Sequence, residues 1–490
     1  MRLRIIIFAL VGFALSPLLS AGAATIAVPA DQPSVAAALA AAGAGDSIIL
    51  SPGVYHESVL RIPVGVTLRG AGASPAETVL DAGGLGRILL IESIADSTII
   101  ENLTFRNSLA LGRNSYEQSG GAIFISRSIV RISNCVFTDN VAEAHGGAIR
   151  VSASSPTIEG CTFRGNEAPN GGGGAIEASF GSSPTIFDCL FEINAAQWGG
   201  AVSVRVGGTA MVQNSMLVGN LAVGGLGYGG AIFADKNSVV GVVDVVMSGN
   251  QARFGGAVAC FANSMVNLAH ATVTDNRSDI LGGGMLIIDA SPYVSNSIFA
   301  FNEGIGIGVT GNSAPVISCS NMYGNTLGDW TAALRAITDM EVNYSADPMF
   351  CSRDPFSEDG LHLQQGSPLL ETMTGCAVPG AFNRPCGATL ALELPPVQPR
   401  IGNVLASPNP FNPRTNIIFR MGQTQDVRVA VYGLRGELIR TLVDGPLVSG
   451  DHVLSWEGID QAGRSVGSGV YFVVVRGEED SHTLKLTLLK

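Results

Sequence analysis

The side chains with the most chemical potential lie in short segments that follow Gly-Gly pairs. Arg150, Glu177, Arg205 and Asp235 stand there beside aliphatic neighbours and should point outward if those neighbours point inward. Glu177 and Asp235 would then be two repeats apart, roughly 10 Å, near the upper separation of an inverting carboxylate pair in glycoside hydrolysis. The plainer alternative is a solvated ladder of opposite charges, Arg150 over Glu177 and Arg205 near Asp235, worth a few tenths of a kcal/mol per pair.

A second constellation is aromatic. The residue just before successive Gly pairs is His145, Gly172, Trp198, Tyr228 and Phe254. Rings stacked along one edge could hold a sugar chain or a partner's apolar surface, because Trp and Tyr join an apolar face to a polar tip. The same rings could equally pack as a ladder beneath corner loops.

Other chemistry finds no footing. The six His, at 56, 145, 270, 362, 452 and 482, lack metal-ligand spacing, and neither a nucleophile elbow nor a phosphate-binding glycine loop is present. Gly171 to Gly174 reads as a corner insertion. Asp139 and Asp275 lack the spaced acidic loop of a calcium site and read as turn acids. No metal and no cofactor is expected.

Repeats must position these residues. Gly-Gly-Ala-aliphatic recurs at Gly120, Gly146, Gly173, Gly199, Gly229 and Gly255, with a degenerate copy at Gly283. A second element places an apolar residue three positions before Asn, as in Phe137 to Asn140, Phe163 to Asn166 and Phe191 to Asn194, with weaker copies ending at Asn220, Asn250, Asn276, Asn302 and Asn325. The Asn spacings are 26, 28, 26, 30, 26, 26 and 23 residues, a period of stacked supersecondary units. Runs such as Ala122 to Ser126 and Ser128 to Ile132 read as short strands, two or three per turn.

The expected fold is therefore all-β: a right-handed parallel β-helix solenoid followed by a small immunoglobulin-like β-sandwich. With rungs about 4.8 Å apart, equivalent side chains pile into columns. Phe137, Phe163 and Phe191 should form an inward aromatic ladder, Cys135, Cys161 and Cys189 a thiol ladder, and the Asn series a buried amide ladder. Asn tolerates the left-handed conformation, which suits it to a corner. The Gly pairs supply positive φ or close approach at another.

The two motifs resemble the repeats of the chlamydial polymorphic outer membrane proteins, and the region is similar to the wider pectin-lyase-like right-handed β-helix family over roughly residues 25 to 390. The start of the region fits as well, with Pro33 to Ala42 as a short helix covering open strand edges. Enzymes of that family cut or eliminate acidic polysaccharides, and its hydrolases carry Asn-Thr-Asp, Asp-Asp, Gly-His-Gly and Arg-Ile-Lys sets. None occurs here, so the resemblance implies architecture and not activity.

The bulk numbers bound the remaining classes. Only 14% of the 490 residues are charged while Gly reaches 62, which argues for turns and strands over helices. The formal charge of -12 leaves a nucleic-acid partner without electrostatic footing. Residues 1 to 24 have the parts of a secretory signal peptide: Arg2 and Arg4, the apolar run Ile5 to Leu15, and Ala21 to Ala24 as a cleavage site. No later segment suits a transmembrane span, and the expected location is secreted, extracellular or outer-membrane and cell-surface associated.

The domain reading is 1–24 leader, 25–390 β-helix with caps at 25–60 and 319–390, 391–401 linker, and 402–490 C-terminal domain. Eight Cys in an exported chain permit disulfides, and the C-terminal cap, with Cys351, Cys376 and Cys386 clustered, should carry one or two. Segments Thr415 to Arg420, Val427 to Tyr432, Glu437 to Val443, His452 to Trp456 and Val470 to Arg476 alternate like sandwich strands. The landmarks Val431 to Gly436, Trp456 to Gly463 and Ser468 to Phe472 resemble the flagellar-hook-cap-type immunoglobulin-like domain and, with Leu484 to Lys490, the type IX secretion sorting domain. The latter likeness implies outer-membrane secretion machinery as a partner through 402–490.

The expected function is an adhesin-like or carbohydrate-contacting scaffold with a polysaccharide or host and cell-surface glycan as partner. The alternatives are a polysaccharide lyase or glycoside hydrolase, and a purely structural envelope component.

Overall fold

The computed structural model describes residues 23–371, 376–382, 385–386, 404–407, 409, 411–421, 425–433, 437–447, 450–477 and 481–489. The expected leader, apart from its last two residues, and the linker lie outside them. The chain divides into two compact units near residue 388.

The first unit is a right-handed parallel β-helix solenoid. One coil shows its plan: Val130–Ser133 in a first wall, Val136–Thr138 in a second, Val141–Ala142 in a short third and Ile149–Ser152 in a fourth. Stacked coils extend these into parallel sheets of 12, 11, 7 and 10 strands. The third wall is additional to the two or three strands per turn that the repeats suggest. Three of its strands, Leu109–Ala110, Val141–Ala142 and Leu221–Ala222, are too short to carry a readable alternation.

The columns form as expected. Phe137, Phe163 and Phe191 continue a stack begun by Phe105, with ring centroids 5.0, 4.8 and 4.8 Å apart and planes within 7°. All four rings are fully buried. Cys135, Cys161 and Cys189 face the interior, and each thiol donates to the carbonyl two residues back, at 3.3, 3.2 and 3.2 Å. On later coils the Ser215, Ser297 and Ser320 hydroxyls make the same bond. Sulfur here is a larger version of a corner hydroxyl.

The amide ladder runs from Asn140 to Asn325. Each Nδ2 donates to the next Oδ1 at 2.8 to 2.9 Å, through Asn166, Asn194, Asn220, Asn250, Asn276 and Asn302. The second Nδ2 proton goes to a carbonyl of the preceding coil, as from Asn194 to Phe163 at 3.0 Å. The terminal steps are different chemistry: Ser108 donates to Asn140 Oδ1, and Asn325 donates to the Asp329 carboxylate. Every buried amide is thereby satisfied, which a low-dielectric interior requires.

One detail departs from expectation. The ladder Asn residues do not themselves take the left-handed conformation; the residue before each one does, including Asp139, Ile193, Asp275 and Phe301. The Asn side chain must point inward to stack, so the corner is turned one position earlier. At Ile193, with φ 47°, a β-branched side chain is held where such residues are rare.

The Gly pairs do both things assigned to them. Gly199 has φ 63°, and a Cβ on Gly200 would collide with the Gly230 carbonyl of the next coil.

The open N-terminal end is covered by the helix Val35–Ala41, which buries Val35, Ala38 and Leu39. Ser34 Oγ accepts from Ala37 N–H at 3.1 Å, and Glu57 accepts from Val35 and Ala36 N–H. At the other end Trp330 and Leu334 enter the solenoid core. The C-terminal segment beyond them departs from a simple cap. Tyr344, Phe350, Leu361, Leu363 and Leu369 pack against Val246, Ile298 and Ala300 on the outside of the second wall. Disulfides Cys319–Cys376 and Cys351–Cys386 fasten this segment.

The second unit is antiparallel β. Leu405–Ser407, Thr415–Met421 and Gly450–Trp456 form one sheet, and Gln425–Gly433, Leu438–Leu447, Gly469–Arg476 and Ser481–Leu488 the other. Phe419 and Trp456 from one sheet and Val429, Val431, Tyr471 and Leu486 from the other share a core. Leu405–Ser407 and Ser481–Leu488 are strands beyond the five read from alternation.

Candidate functional site

The candidate residues gather on the outer side of the fourth wall and along its border with the third. In strands Ile149–Ser152, Ile176–Ser179, Val202–Arg205 and Ile232–Asp235 the first and third residues fill the solenoid core. Arg150, Glu177, Arg205 and Asp235 therefore leave the core on the opposite face, as alternation demands.

They are not solvated, however. The Arg150 and Glu177 side chains are 7% and 2% exposed, and Arg205 and Asp235 are 15% and 16% exposed. The solvated-ladder expectation fails because the border strand Glu167–Gly172 closes over this face: a Cβ on Gly172 would come within 2.9 Å of Glu177 Oε2. The sequence pattern gives the direction of a side chain, but not whether a neighbouring corner covers it.

Beneath that cover lies a compact ionic cluster. Arg150 ion-pairs with Glu177 and donates to Ser179 Oγ at 2.7 Å. His145 Nδ1 lies 2.7 Å from Glu177 Oε2 and 3.1 Å from the Gly172 N–H. The Gly172 N–H donates to Nδ1, which has no second lone pair or proton with which to serve Glu177 at the same time. Burial alone would push the Glu177 pKa up, but Arg150, His145 and Arg205 together hold it below the ordinary glutamate range. Ser203 Oγ and Arg205 Nε, both buried, have no hydrogen-bond partner among the described residues.

Register also separates the two acids. Glu177 pairs with Ser203, and Ser203 with Phe233, whereas Asp235 pairs with Arg205 and through it with Ser179. Glu177 and Asp235 are thus offset by two residues as well as two coils, about 12 Å apart, beyond the separation expected from coil spacing alone. The pairing of Arg150 with Glu177 and of Arg205 with Asp235, at 3.7 Å for the latter, holds.

The aromatic border is continuous. Gly172, Trp198, Tyr228 and Phe254 are bridged in parallel register, one per coil. His145 precedes Gly172 in this column, linked through the Gly146 N–H to Gly172 O bond. Trp198, Tyr228 and Phe254 are partly exposed. Tyr228 stacks on Phe254 at 5.0 Å and meets Phe261 edge-on at 4.6 Å, and the Arg205 guanidinium sits 4.4 Å from the Trp198 ring. Phe261 adjoins the strip and meets the buried Phe233 edge-on at 5.5 Å, and Arg253 lies 5.6 Å from the Phe254 ring. Phe233 and Phe261 occupy outward positions on consecutive strands of the fourth wall, so alternation within each strand was the signal that could have found them.

Among the described residues no group of three or more His, Cys, Asp or Glu is placed to hold a metal ion. Asp275 pairs with Arg353. No helix among them is long and apolar enough to cross a membrane.

Comparison with known proteins gives the following likenesses. The family described as "Right handed beta helix region" matches residues 89–284. No curated protein is significantly similar in sequence. Among solved structures, PorZ, a bacterial surface component of the type-IX secretion system of Porphyromonas gingivalis, is 20% identical over 22% of this chain and 13% of its own, with a TM-score of 0.15. The catalytic domain of a GH87 alpha-1,3-glucanase in complex with tetrasaccharides is 11% identical over 66% of this chain and 69% of its own, with a TM-score of 0.36. A PL6 family alginate lyase, AlyGC, is 12% identical over 66% of this chain and 53% of its own, with a TM-score of 0.30. This chain spans about an eighth of PorZ and about half of the alginate lyase.

Proposed function

We propose that the protein is a secreted or cell-surface scaffold that holds a polysaccharide against the Trp198, Tyr228 and Phe254 border without cleaving it. The observation that carries this reading is the register of three partly exposed rings on consecutive coils, next to carboxylates that are buried in ion pairs. Rings held on stacked coils are already ordered, so a polymer meets a surface that loses little conformational freedom on contact.

The Glu177, Arg150 and His145 cluster is the feature that favours a hydrolase or lyase, but its physical state opposes one. A general acid needs a raised pKa, and Glu177 is held low by Arg150. Its nearest acidic companion on this face, Asp235, is displaced along the strand as well as along the axis. The leader at 1–24 and the domain at 402–490 complete the proposal as export and attachment elements, the latter of the immunoglobulin-like sorting type.

A glycan array with the full chain tests the reading. Binding that disappears in Trp198→Ala and in Tyr228→Ala supports it, and the absence of binding to every glycan favours a purely structural envelope protein. Release of sugar products that Glu177→Gln abolishes would replace the scaffold with an enzyme. Deleting 402–490 in a native host and following export separates sorting from retention.

A further inference from the structure

Resting on the reading of the aromatic border as the glycan-contacting edge, we infer that the polymer it takes is uncharged. A site for a polyuronate or sulfated chain needs guanidinium or ammonium groups with free N–H forks turned toward the ligand. Three of the four arginines bordering this strip face an acid, and the fourth donates to a backbone carbonyl. Arg150 is paired with Glu177 and Ser179. Arg205 is paired with Asp235 and laid against Trp198. Arg253 donates to the Gly225 carbonyl at 2.6 Å and lies beside Phe254. Arg277, at the far end, is within 3.6 Å of both Asp279 and Glu303.

Two of these cations, Arg205 and Arg253, thus extend the aromatic platform with their planar groups. Around them the chain carries a formal -12, a field that repels polyanions and is indifferent to neutral sugars. Ring edges, methylene stems and charges already neutralised by their neighbours suit a polyol whose hydroxyls both donate and accept. They do not suit a carboxylated chain.

The test is native affinity electrophoresis of the full chain in gels containing mannan, a β-glucan or an α-glucan, against gels containing polygalacturonate or alginate, each at low and at physiological salt. The expected result is retardation by at least one neutral polymer, unchanged by salt and weakened at least tenfold in Trp198→Ala, with none by the polyuronates. Phe254→Ala serves the same purpose should Trp198→Ala fail to fold. In Asp235→Asn, Arg205 loses its partner, and salt-sensitive retardation by polygalacturonate should appear. Retardation of the unaltered protein by a polyuronate overturns the inference; if Trp198→Ala removes it, the border is still the binding edge. Retardation by no polymer overturns the binding edge itself. An Asp235→Asn protein that stays indifferent to polygalacturonate refutes the ion-pairing argument.

Discussion

Arg150 and Glu177 are register partners on consecutive strands of the fourth wall, and their charged groups meet where Gly172 shuts out water. Breaking a buried ion pair from one side leaves the other charge without its partner. Glu177→Ala should therefore lower stability by about 3 to 5 kcal/mol, measured by guanidinium unfolding of the solenoid. Arg150→Met combined with Glu177→Leu should recover most of the loss, because it removes both charges together. A double variant no better than the single one would show that the cluster is held by more than its own pairing.

The same carboxyl sets a pH dependence. Its pKa in the folded protein is lowered, so the unfolded chain binds the proton more readily. Its stabilising contribution is complete above the ordinary glutamate value, about 4, and is lost as pH falls from there through the folded value. Melting temperature should decline on acidification below that point, and part of the decline should be missing in Glu177→Gln. Identical acid profiles for the two proteins would contradict the assignment.

Asn194 sits mid-ladder with both amide protons and its oxygen engaged. In Asn194→Ala, the Asn166 amide and backbone N–H lose their acceptor and the Phe163 carbonyl loses a donor. Leaving such groups buried and unpaired costs about 1 to 3 kcal/mol each. A total loss above about 3 kcal/mol by denaturant titration is expected, whereas a loss under 1 kcal/mol would deny the ladder its structural weight.

The lateral segment depends on oxidised cysteines. The two bonds close loops of 57 and 35 residues. Chain entropy alone then predicts up to about 4 kcal/mol from each. Reduction should free the segment around Tyr344 to Leu369 from the second wall before the coils unfold, seen as early proteolysis confined to that region. The other four thiols, at 135, 161, 189 and 260, are buried, and burial pushes Cys260 up to about 12. They should resist alkylation at neutral pH until the solenoid itself melts.

The sequence was most legible where one side chain repeats at one position of the coil. Asn140, Asn166 and Asn194, or Phe137, Phe163 and Phe191, announce columns because stacking makes every coil solve the same packing problem. It was least legible where a decision rests on a neighbouring coil or on a distant segment. That Glu177 is buried follows from Gly172 and His145 lying over it, and alternation within its own strand says nothing of them. That 344–371 and 376–382 lie along the side of the solenoid rests on contacts such as Ala381 N–H to Thr272 Oγ1 at 3.0 Å, across 109 residues of sequence. The left-handed corner at Asp139 was missed by one position because both Asp and Asn tolerate that conformation, and only the inward stack of Asn140 decides between them.

The amide column has a direction. Every carboxamide hands its proton to the coil that follows, so a hydroxyl at Ser108 opens the series and a carboxylate at Asp329 closes it. Interior coils are interchangeable links, and the two ends are not. Coils could be removed or duplicated in whole units between Asn166 and Asn276 while each new junction inherits its bonding from the old ones. A solenoid cut elsewhere would need a fresh terminator before it could stand.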